Sequence, residues 1–278
     1  MSGACATDRV ADVRAHYDLG NPFFALFLDP SMTYSCAKFD DPGSSLEQAQ
    51  RAKIDLSLAK CELRPGQRLL DIGCGWGSTA VRAHERHGVE VTGLTISANQ
   101  RAYCLEQGIA RPGVNIRLQE WESFDEPVDR IVSIGAFEHF GRERYPAFFS
   151  RCHSLLPDDG VMLLHTITLA KPARTFAFLR FMHFISTRIF PGGDLPTPEL
   201  VLASARAAGF EIDHVECLRR HYVLTLERWA ENLEAHRHRA VDLVGAETYL
   251  AYRRYLTGAA DCFRTAACSV HQFKLRVT

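Results

Sequence analysis

The chain has 278 residues, 46% of them hydrophobic and 23% charged, so it is long enough to bury one large α/β core. Its formal net charge of -1 gives no bulk attraction to nucleic acid, and we predict no nucleic-acid partner. Nine cysteines with no C-x-x-C pair argue against a zinc site and against a secreted disulfide scaffold, so we predict no metal. The sequence shows no signal segment and no apolar stretch of membrane length, so the protein is predicted to be cytoplasmic.

Residues 1–64 are predicted to form a helical cover ahead of the core. Apolar helical pieces run over residues 8–28 and break at a Gly-Asn-Pro sequence, and a loop without regular period follows over residues 32–36. Ser44 and Glu47 then have the spacing of a capping box, which predicts a helix to about residue 61. Taken alone, the Tyr, Ser and Cys of the loop are typical of an ordinary turn.

A glycine-rich turn after the first predicted strand is the feature around which the sequence is organised. The strand over residues 68–71 leads into Asp-x-Gly-x-Gly-x-Gly, from Asp71 to Gly77. Such a turn lets backbone N–H groups approach a ligand where a Cβ would clash. The dinucleotide pattern needs a third glycine one residue later, and the Lys-Ser/Thr pair of a P-loop is absent, so the ligand is not predicted to be a pyrophosphate. The pattern favours a nucleotide-type cofactor loop, with a purely structural tight turn as the alternative.

From residue 65 to residue 168 strand and helix signals alternate, which is typical of a doubly wound sheet. The second strand, over residues 89–94, ends without the acid that usually binds a nucleotide ribose. Thr95 and Gln100 offer hydrogen bonds in its place, whereas Ser97 is equally well explained as a helix N-cap.

Side chains at the ends of the next three strands complete the predicted site. Trp121 offers a ring face for a purine next to the carboxylate of Glu122, although a core position is the commoner role of a Trp. Glu138 is a carboxylate among apolar neighbours, so its pKa is expected to rise unless it accepts hydrogen bonds. His165, on the fifth strand, is expected to be a satisfied core residue unless an acid shares its end of the sheet, as Glu138 does.

Residues 169–196 are predicted to be an insertion over the mouth of the site. Residues 174–190 carry five phenylalanines and three arginines and are more apolar than a surface helix should be. A core helix and a lid over a hydrophobic tunnel both explain this composition. Residues 197–278 supply the last strands and a long helical stretch over residues 224–266, so we predict a single α/β domain with seven strands.

Blocks along nearly the whole length resemble the cyclopropane fatty acid synthase family, and the mycolic acid cyclopropane synthases and mycolate methyltransferases are its nearest branch. The blocks are Thr-Tyr-Ser-Cys at 33–36, Leu-Asp-Ile-Gly-Cys-Gly-Trp-Gly at 70–77, Gly-Leu-Thr-Ile-Ser with Asn-Gln at 93–100, Ile-Gly-Ala-Phe-Glu-His-Phe-Gly at 134–141, Leu-His-Thr-Ile-Thr at 164–168 and Ile-Phe-Pro-Gly-Gly at 189–193. The resemblance implies a Rossmann-like class I S-adenosylmethionine (SAM) methyltransferase fold: a mostly parallel seven-stranded sheet flanked by helices, with N-terminal helices and an inserted helical lid.

The resemblance also implies that the protein adds a methyl carbon from SAM to a double bond of an unsaturated fatty acyl or mycolic acid chain, and that the resulting carbocation closes to a cyclopropane. An alkene is a weak nucleophile, so the reaction needs a dry apolar tunnel that aligns it with the methyl group. A bicarbonate ion is implied as the base that removes one proton. Its implied ligands, the predicted catalytic residues, are Cys36, Glu138, His165 and Tyr222. The predicted cofactor-binding residues are Tyr34, Ser35, Asp71, Gly73, Cys74, Gly75, Thr95, Ser97, Asn99, Gln100, Trp121, Glu122 and Ile134.

Alternative functions stay open on the sequence. A related enzyme that methylates carbon in an acyl group would leave a methyl-branched or hydroxylated product, and a small-molecule N-methyltransferase would have a shorter, polar pocket. A SAM-binding protein without turnover would not need to bring the four catalytic residues together. Larger family members carry an extra N-terminal domain that this sequence lacks, which favours an acyl substrate bound to a carrier protein as partner. Peripheral membrane contact is the other route to a lipid, and no oligomeric state is predicted.

Overall fold

In the computed structural model, which describes residues 19–170 and 175–277, a seven-stranded sheet lies between layers of helices. Its strands are β1 (Arg68–Ile72), β2 (Glu90–Thr95), β3 (Val114–Leu118), β4 (Arg130–Ile134), β5 (Val161–Leu169), β6 (Phe210–Cys217) and β7 (Cys268–Val277). Across the sheet the order is β3-β2-β1-β4-β5-β7-β6, and β7 runs antiparallel to β5 and β6 while the other pairs are parallel. The predicted seven-stranded, mostly parallel α/β fold is confirmed.

The helices cover both faces of this sheet. They are α1 (Asn21–Phe24), α2 (Leu46–Lys60), α3 (Ser78–His87), α4 (Ala98–Glu106), α5 (Tyr145–Leu155), α6 (Phe176–Arg188), α7 (Pro198–Ala207), α8 (Arg219–Ala235) and α9 (Arg237–Arg264), with 3₁₀ turns at Trp121–Ser123, Phe137–His139 and Arg142–Arg144. The helical pieces predicted before residue 19 lie outside the described residues. No helix in the described ranges is both long enough and apolar enough to cross a membrane.

Three predicted element boundaries are wrong. The capping box of α2 is formed one residue later than predicted, by Ser45 and Gln48, because the N–H of Ser44 bonds back to the carbonyl of Asp41 in the preceding turn. The long helical stretch predicted over residues 224–266 begins earlier, at Arg219, and is divided at His236 between α8 and α9, with a kink inside α9 at Gly245, whose φ is +79°. The last strand was predicted to begin at residue 272, but β7 begins at Cys268 because β5 offers it hydrogen bonds along its whole length.

The site lies at the carboxyl ends of β1 and β4. These two strands are neighbours, and from them the sheet order proceeds in opposite directions, which makes this point a topological switch. In open α/β sheets a ligand crevice forms at such a point. The loop between α1 and α2 and the helices α8 and α9 cover it from one side. Helix α6 crosses it as the predicted lid segment.

Helix α6 packs antiparallel along α9. Phe181 lies against Gly258, the guanidinium of Arg254 lies 4.1 Å from the ring centre of Phe184, and the next turn of α6 is joined to α9 by an ion pair between Arg188 and Glu247. None of the side chains of α6 is fully buried, and at its start Phe176 is 75% exposed. The helix is therefore a cover laid on the domain and not a core helix.

Candidate active site

The glycine-rich turn after β1 has two residues that only glycine suits. Gly73 has a φ of +81°, and a Cβ there would lie 2.3 Å from the Cβ of Ala136 in the turn after β4. Gly75 has a φ of +56°, and the space that its Cβ would face is open. Gly73 therefore lets the turn after β1 and the turn after β4 approach each other, and Gly75 leaves room for a ligand beside the backbone.

A hollow around this turn, which we call the cofactor pocket, runs from the end of β1 towards the end of β3. Ten of the predicted cofactor-binding residues line it: Tyr34, Ser35, Asp71, Gly73, Cys74, Gly75, Thr95, Gln100, Trp121 and Ile134. One end of the pocket is polar, and the other end, beside Trp121 and Phe140, is apolar and lined by aromatic rings. A ligand with a charged end and a flat apolar end fits this division.

Asp71 and Lys53 place two buried, opposite charges at the polar end. Asp71 is 2% exposed, its Oδ2 has no hydrogen-bond partner among the described residues, and burial raises its pKa to about 7 against the opposing charge of Lys53. Lys53 is fully buried and donates from Nζ to Oγ of Ser35 (2.9 Å), and burial lowers its pKa to about 8. A free carboxylate oxygen next to an ammonium is a fitting place for an amino-acid group, which carries one charge of each sign.

Lys53 was not predicted from the sequence. A signal exists, because Leu46, Ala49, Gln50 and Lys53 lie at helical spacing on the buried face of α2. A lysine on such a stripe is buried for a reason other than packing. Gln50 is the second polar residue there, and its amide holds the preceding loop by donating to the carbonyl of Ser35 (2.8 Å).

The polar residues after β2 hold one another. Thr95 donates from Oγ1 to Oε1 of Gln100 (2.7 Å) and accepts from the N–H of Ser97 (3.1 Å), and Ser97 caps α4 by accepting from the N–H of Gln100 (3.3 Å). The N-cap interpretation of Ser97 is therefore confirmed. Neither Ser97 nor Asn99 lines the cofactor pocket, so their contact with a cofactor stays a prediction.

Trp121 lines the apolar end of the pocket, and Glu122 turns away from it. The carboxylate of Glu122 pairs with Arg144, whose guanidinium lies 5.3 Å from the ring centre of Trp121. Phe140 and Phe148 pack against the same indole at 5.6 and 5.3 Å between ring centres. The ring is thus fixed in place, and a direct cofactor contact by Glu122 stays a prediction.

A second hollow, the apolar cavity, lies beneath α6 and adjoins the cofactor pocket. Its volume is about 1050 Å³ including its open mouth. The cavity shares Tyr34, Ser35 and Gly135 with the polar end of the cofactor pocket, and Gly135 and His139 with the apolar end. The four predicted catalytic residues, Cys36, Glu138, His165 and Tyr222, all line it. Most of the remaining lining is apolar and comes from α6, α8 and α9: Phe181, Met182, Ile185, Leu226, Tyr255, Ala259 and Phe263.

Glu138 is held by one oxygen and presents the other. Its Oε1 accepts from the N–H of Ile167 (2.7 Å), whereas Oε2 has no hydrogen bond to the described residues although Glu138 is only 7% exposed. Burial raises the pKa of this carboxyl, and the bond from Ile167 opposes that rise. The predicted direction of the shift is confirmed.

The other titratable groups of the cavity are also held in neutral forms. Burial, helped by the charges of Lys53 and Lys60, lowers the pKa of His165 well below its usual value. Burial raises the pKa of the Cys36 thiol well above its usual range, and its Sγ lies 3.2 Å from the carbonyl oxygen of Ala37. Cys36 is therefore a buried thiol and not a thiolate nucleophile.

The arginines of the lid segment differ from one another. Arg174 lies outside the described residues. Arg188 pairs with Glu247 across the gap to α9, so its charge is already met. Arg180 is exposed, with its guanidinium 5.8 Å from the ring centre of Phe176.

The sheet order, with a glycine turn at its switch point, is that of the class I SAM-dependent methyltransferase fold, and the similarity to proteins of 48 to 51% identity places the protein among these enzymes. Within that class, the family model described as mycolic acid cyclopropane synthetase matches residues 5–273, and the protein belongs to this family.

Curated relatives and solved structures agree with this assignment. Cyclopropane mycolic acid synthase 1 of Mycobacterium tuberculosis is 51% identical over 276 residues, which cover 95% of this protein and 96% of that one. Methoxy mycolic acid synthase MmaA3 of the same species is 48% identical and covers 96% of this protein and 94% of its own length. The crystal structure of mycolic acid cyclopropane synthase CmaA1 complexed with SAH and CTAB superposes with a TM-score of 0.93 at 50% identity, over 96% of this protein and 98% of that one.

Proposed function

We propose that the protein transfers a methyl carbon from SAM to a double bond of a long unsaturated acyl group, such as a mycolic acid precursor, and closes a cyclopropane ring there. The observation that carries this proposal is the shared wall at Tyr34, Ser35 and Gly135, where the polar end of the cofactor pocket adjoins an apolar cavity lined by rings and aliphatic groups. An amine substrate would need polar partners along such a cavity, so the N-methyltransferase alternative is disfavoured. The similarity to proteins named mycolic acid synthases supports the same substrate class.

The cofactor pocket suits SAM because its free polar atoms match the amino-acid end of that molecule. Asp71 would pair with the amino group and Lys53 with the carboxylate, and Trp121 would lie beside the adenine. When bound, SAM supplies an electrophilic methyl group. The protein contributes orientation and a water-poor surrounding, which a weak alkene nucleophile requires.

Methylation of an alkene leaves a carbocation, and ring closure requires the loss of one proton from the added methyl group. We propose that Glu138, His165, Tyr222 and the backbone beside Cys36 hold a bicarbonate ion as the base. The raised pKa of Glu138 supports this arrangement, because a carboxyl that shares a proton with a neighbouring anion does not repel it. Through that shared proton Glu138 would hold and orient the ion, which would supply the basic oxygen for the proton that leaves the substrate.

Aromatic faces on the cavity wall stabilise the cation until that proton leaves. Tyr222 and Phe263 pack with their ring centres 4.6 Å apart, and Tyr34 and Tyr255 line the same space. A ring face attracts a positive charge without offering it a nucleophile. Capture of the cation by water instead would give a hydroxylated product, the alternative that the similarity to a methoxy mycolic acid synthase favours.

We propose that the acyl substrate enters beside α6 while attached to a carrier protein. Arg180 supports this proposal, because it is an exposed cation at the cavity's cover and carrier proteins that present acyl groups are acidic. Entry from a membrane surface is the alternative, and the exposed Phe176 and Leu179 of α6 would serve it.

The proposed function is tested by incubating the enzyme with methyl-labelled SAM and a cis-unsaturated acyl group on an acyl carrier protein. We expect label in the acyl group and a product one CH₂ heavier with no remaining double bond. The saturated acyl group is the matched control and should take no label. Labelling of small amines without any lipid product would contradict the proposal, and a hydroxylated product would select the alternative.

A further inference from the structure

A line of polar side chains, none of which lines the apolar cavity, leads to the imidazole of His165. Lys60, at the end of α2, donates from Nζ to Oε1 of Gln272 (2.6 Å) and also pairs with Glu216. Gln272 is fully buried on β7, directly opposite His165 on β5. The other end of its amide contacts Oγ of Ser57 (2.9 Å) and Nδ1 of His165 (3.2 Å).

These contacts leave one assignment for every proton. An ammonium only donates, so the amide atom beside Lys60 is the oxygen and the other atom of Gln272 is the NH₂, which has two protons to donate. The hydroxyl of Ser57 donates to the carbonyl of Lys53 (2.8 Å), so its Oγ is free to accept the first amide proton. Nδ1 of His165 accepts the second. An imidazole whose Nδ1 accepts carries its proton on Nε2.

Nε2 is the ring nitrogen that remains for the apolar cavity, which His165 lines together with Glu138. We propose that Gln272, held by Lys60, is a positioning residue that keeps His165 in the Nε2-protonated tautomer, so that a neutral hydrogen-bond donor always faces the cavity. A proton on Nδ1 would meet the amide NH₂, and turning the amide would place that NH₂ against the ammonium of Lys60. The arrangement therefore opposes both the other tautomer and the imidazolium. The identity of the group that this donor binds, an anionic base, rests on the proposed function, whereas the assignment of the tautomer does not.

The test reads the tautomer directly, by NMR of protein labelled with ¹⁵N-histidine. The His165→Gln variant assigns the signal among the 12 histidines. In the wild-type enzyme we expect protonation at Nε2 and a bare Nδ1. Gln272→Glu keeps the shape but offers a carboxylate oxygen to Nδ1, so we expect the proton to move to Nδ1 and kcat to fall about 10- to 100-fold, the scale for losing a group that orients a functional histidine, with KM for the acyl substrate little changed.

Lys60→Met is the second variant, because it frees the amide of Gln272 to turn and should give a mixture of tautomers. Lys274→Met is its matched control: Lys274 lies on the same face of β7 as Gln272, its side chain is 13% exposed against 12% for Lys60, and it also forms ion pairs, but with Glu62 and Asp213. The control should leave the His165 signal unchanged.

A proton on Nδ1 in the wild-type enzyme would overturn the inference, and so would an unchanged His165 signal in both Gln272→Glu and Lys60→Met. The predicted tautomer with the expected switch, in an enzyme that turns over no acyl substrate, would support the inference and overturn the proposed function instead.

Discussion

The cofactor pocket and the apolar cavity share a wall but are built in opposite ways. The pocket is made largely from one stretch of sequence, from the turn after β1 to the turn after β4, and its shape depends on backbone turns and glycines. The cavity is made from side chains that lie as far apart in sequence as Tyr34 and Cys268. Changes of side chain should therefore alter the acyl substrate more easily than the cofactor.

The two regions also treat charge differently. In the pocket, burial also moves the pKa values of Asp71 and Lys53 towards the neutral forms, but only to about 7 and about 8, so both charged forms are accessible near neutral pH, as an amino-acid ligand requires. In the cavity the pKa shifts of Cys36, Glu138 and His165 all favour the neutral form. A short-lived carbocation next to a thiolate would alkylate it, so a cavity of neutral groups is the safer surrounding for the proposed chemistry.

The largest effect that separates the two regions is expected from Glu138→Gln. Gln has no carboxyl proton to share with the proposed anionic base, so kcat should fall at least about 10²-fold, the lower end for loss of an acid–base group, while SAM affinity stays close to that of the wild type. Single-turnover kinetics and calorimetric titration with SAH measure the two quantities. Glu143→Gln, which changes an exposed carboxylate on the following turn, is the control. An equal loss of affinity and turnover would place Glu138 in the cofactor pocket.

Lys53→Met should give the reverse pattern. The substitution keeps most of the buried volume but removes the charge proposed to meet the cofactor carboxylate, a hydrogen bond worth about 1.5 to 3 kcal/mol, so SAH affinity should fall about 10- to 100-fold. Turnover at saturating SAM should change far less. Thermal unfolding without ligand at pH 6 provides the check, because Asp71 is protonated there, so that loss of Lys53 leaves no unpaired buried carboxylate and the melting temperature should change little. Unchanged SAH affinity would contradict the assignment.

The pH dependence of cofactor binding should show both charges of the pocket. The pKa of Asp71 is raised to about 7, so the carboxyl is protonated below that pH. Because a ligand amino group binds the ionised carboxylate better, the affinity for SAH rises with pH as Asp71 loses its proton. Lys53 has a pKa lowered to about 8 and loses its charge above it, so affinity falls again. Between pH 6 and pH 7.5 the gain in SAH affinity should be about sixfold.

Asp71→Asn should remove the rise on the acid side of this profile and leave the fall on the alkaline side, whereas Lys53→Met should do the opposite. Calorimetry in two buffers of different protonation enthalpy would also detect the proton released on binding. A profile that is flat from pH 6 to pH 9 would show that neither charge meets the ligand.

The same contrast explains what the sequence could predict. Asp71, Gly73 and Gly75 were predicted because a strand end and a glycine spacing are local patterns. Lys53 was missed because its place beside Asp71 depends on how α2 packs on the sheet. Gln272 was missed for a similar reason, since its position opposite His165 depends on the register of an antiparallel pair.

The catalytic set was reached in a different way. Cys36 and Tyr222 followed from the family resemblance alone, because nothing in their local pattern marks them. Glu138 and His165 had a local signal, a strand-end acid and an inward histidine at the same edge of the sheet. The structure brings all four to one cavity, and their chemical roles remain predictions that the variants above test.

A smaller effect, confined to the cavity, is expected from Gly258→Ala. A Cβ at this position would lie 2.3 Å from the ring of Phe181, so α6 would have to move away from α9. We expect KM for a long acyl substrate to rise about fivefold, corresponding to about 1 kcal/mol of overpacking, with SAH affinity unchanged. The Phe181→Leu variant and the double variant complete a mutant cycle, and the shorter side chain should relieve the effect. Additive effects would contradict the contact as the cause.

The smallest effect concerns Arg180, the exposed cation on the cover of the cavity. Arg180→Glu should raise KM for a carrier-bound acyl substrate about two- to threefold and leave turnover of a free short acyl mimic unchanged, because exposed charges steer encounter and contribute little to chemistry. Above roughly 0.5 M salt the difference should vanish, since screening lengths shrink to a few Å. Arg188→Glu is the informative comparison: its charge already pairs with Glu247, so reversing it creates a repulsion between α6 and α9 that should affect both substrates alike, and this effect should also fade with salt. If Arg180→Glu has no effect at low salt, the carrier protein docks elsewhere and the exposed Phe176 and Leu179 become the surface to test against lipid vesicles.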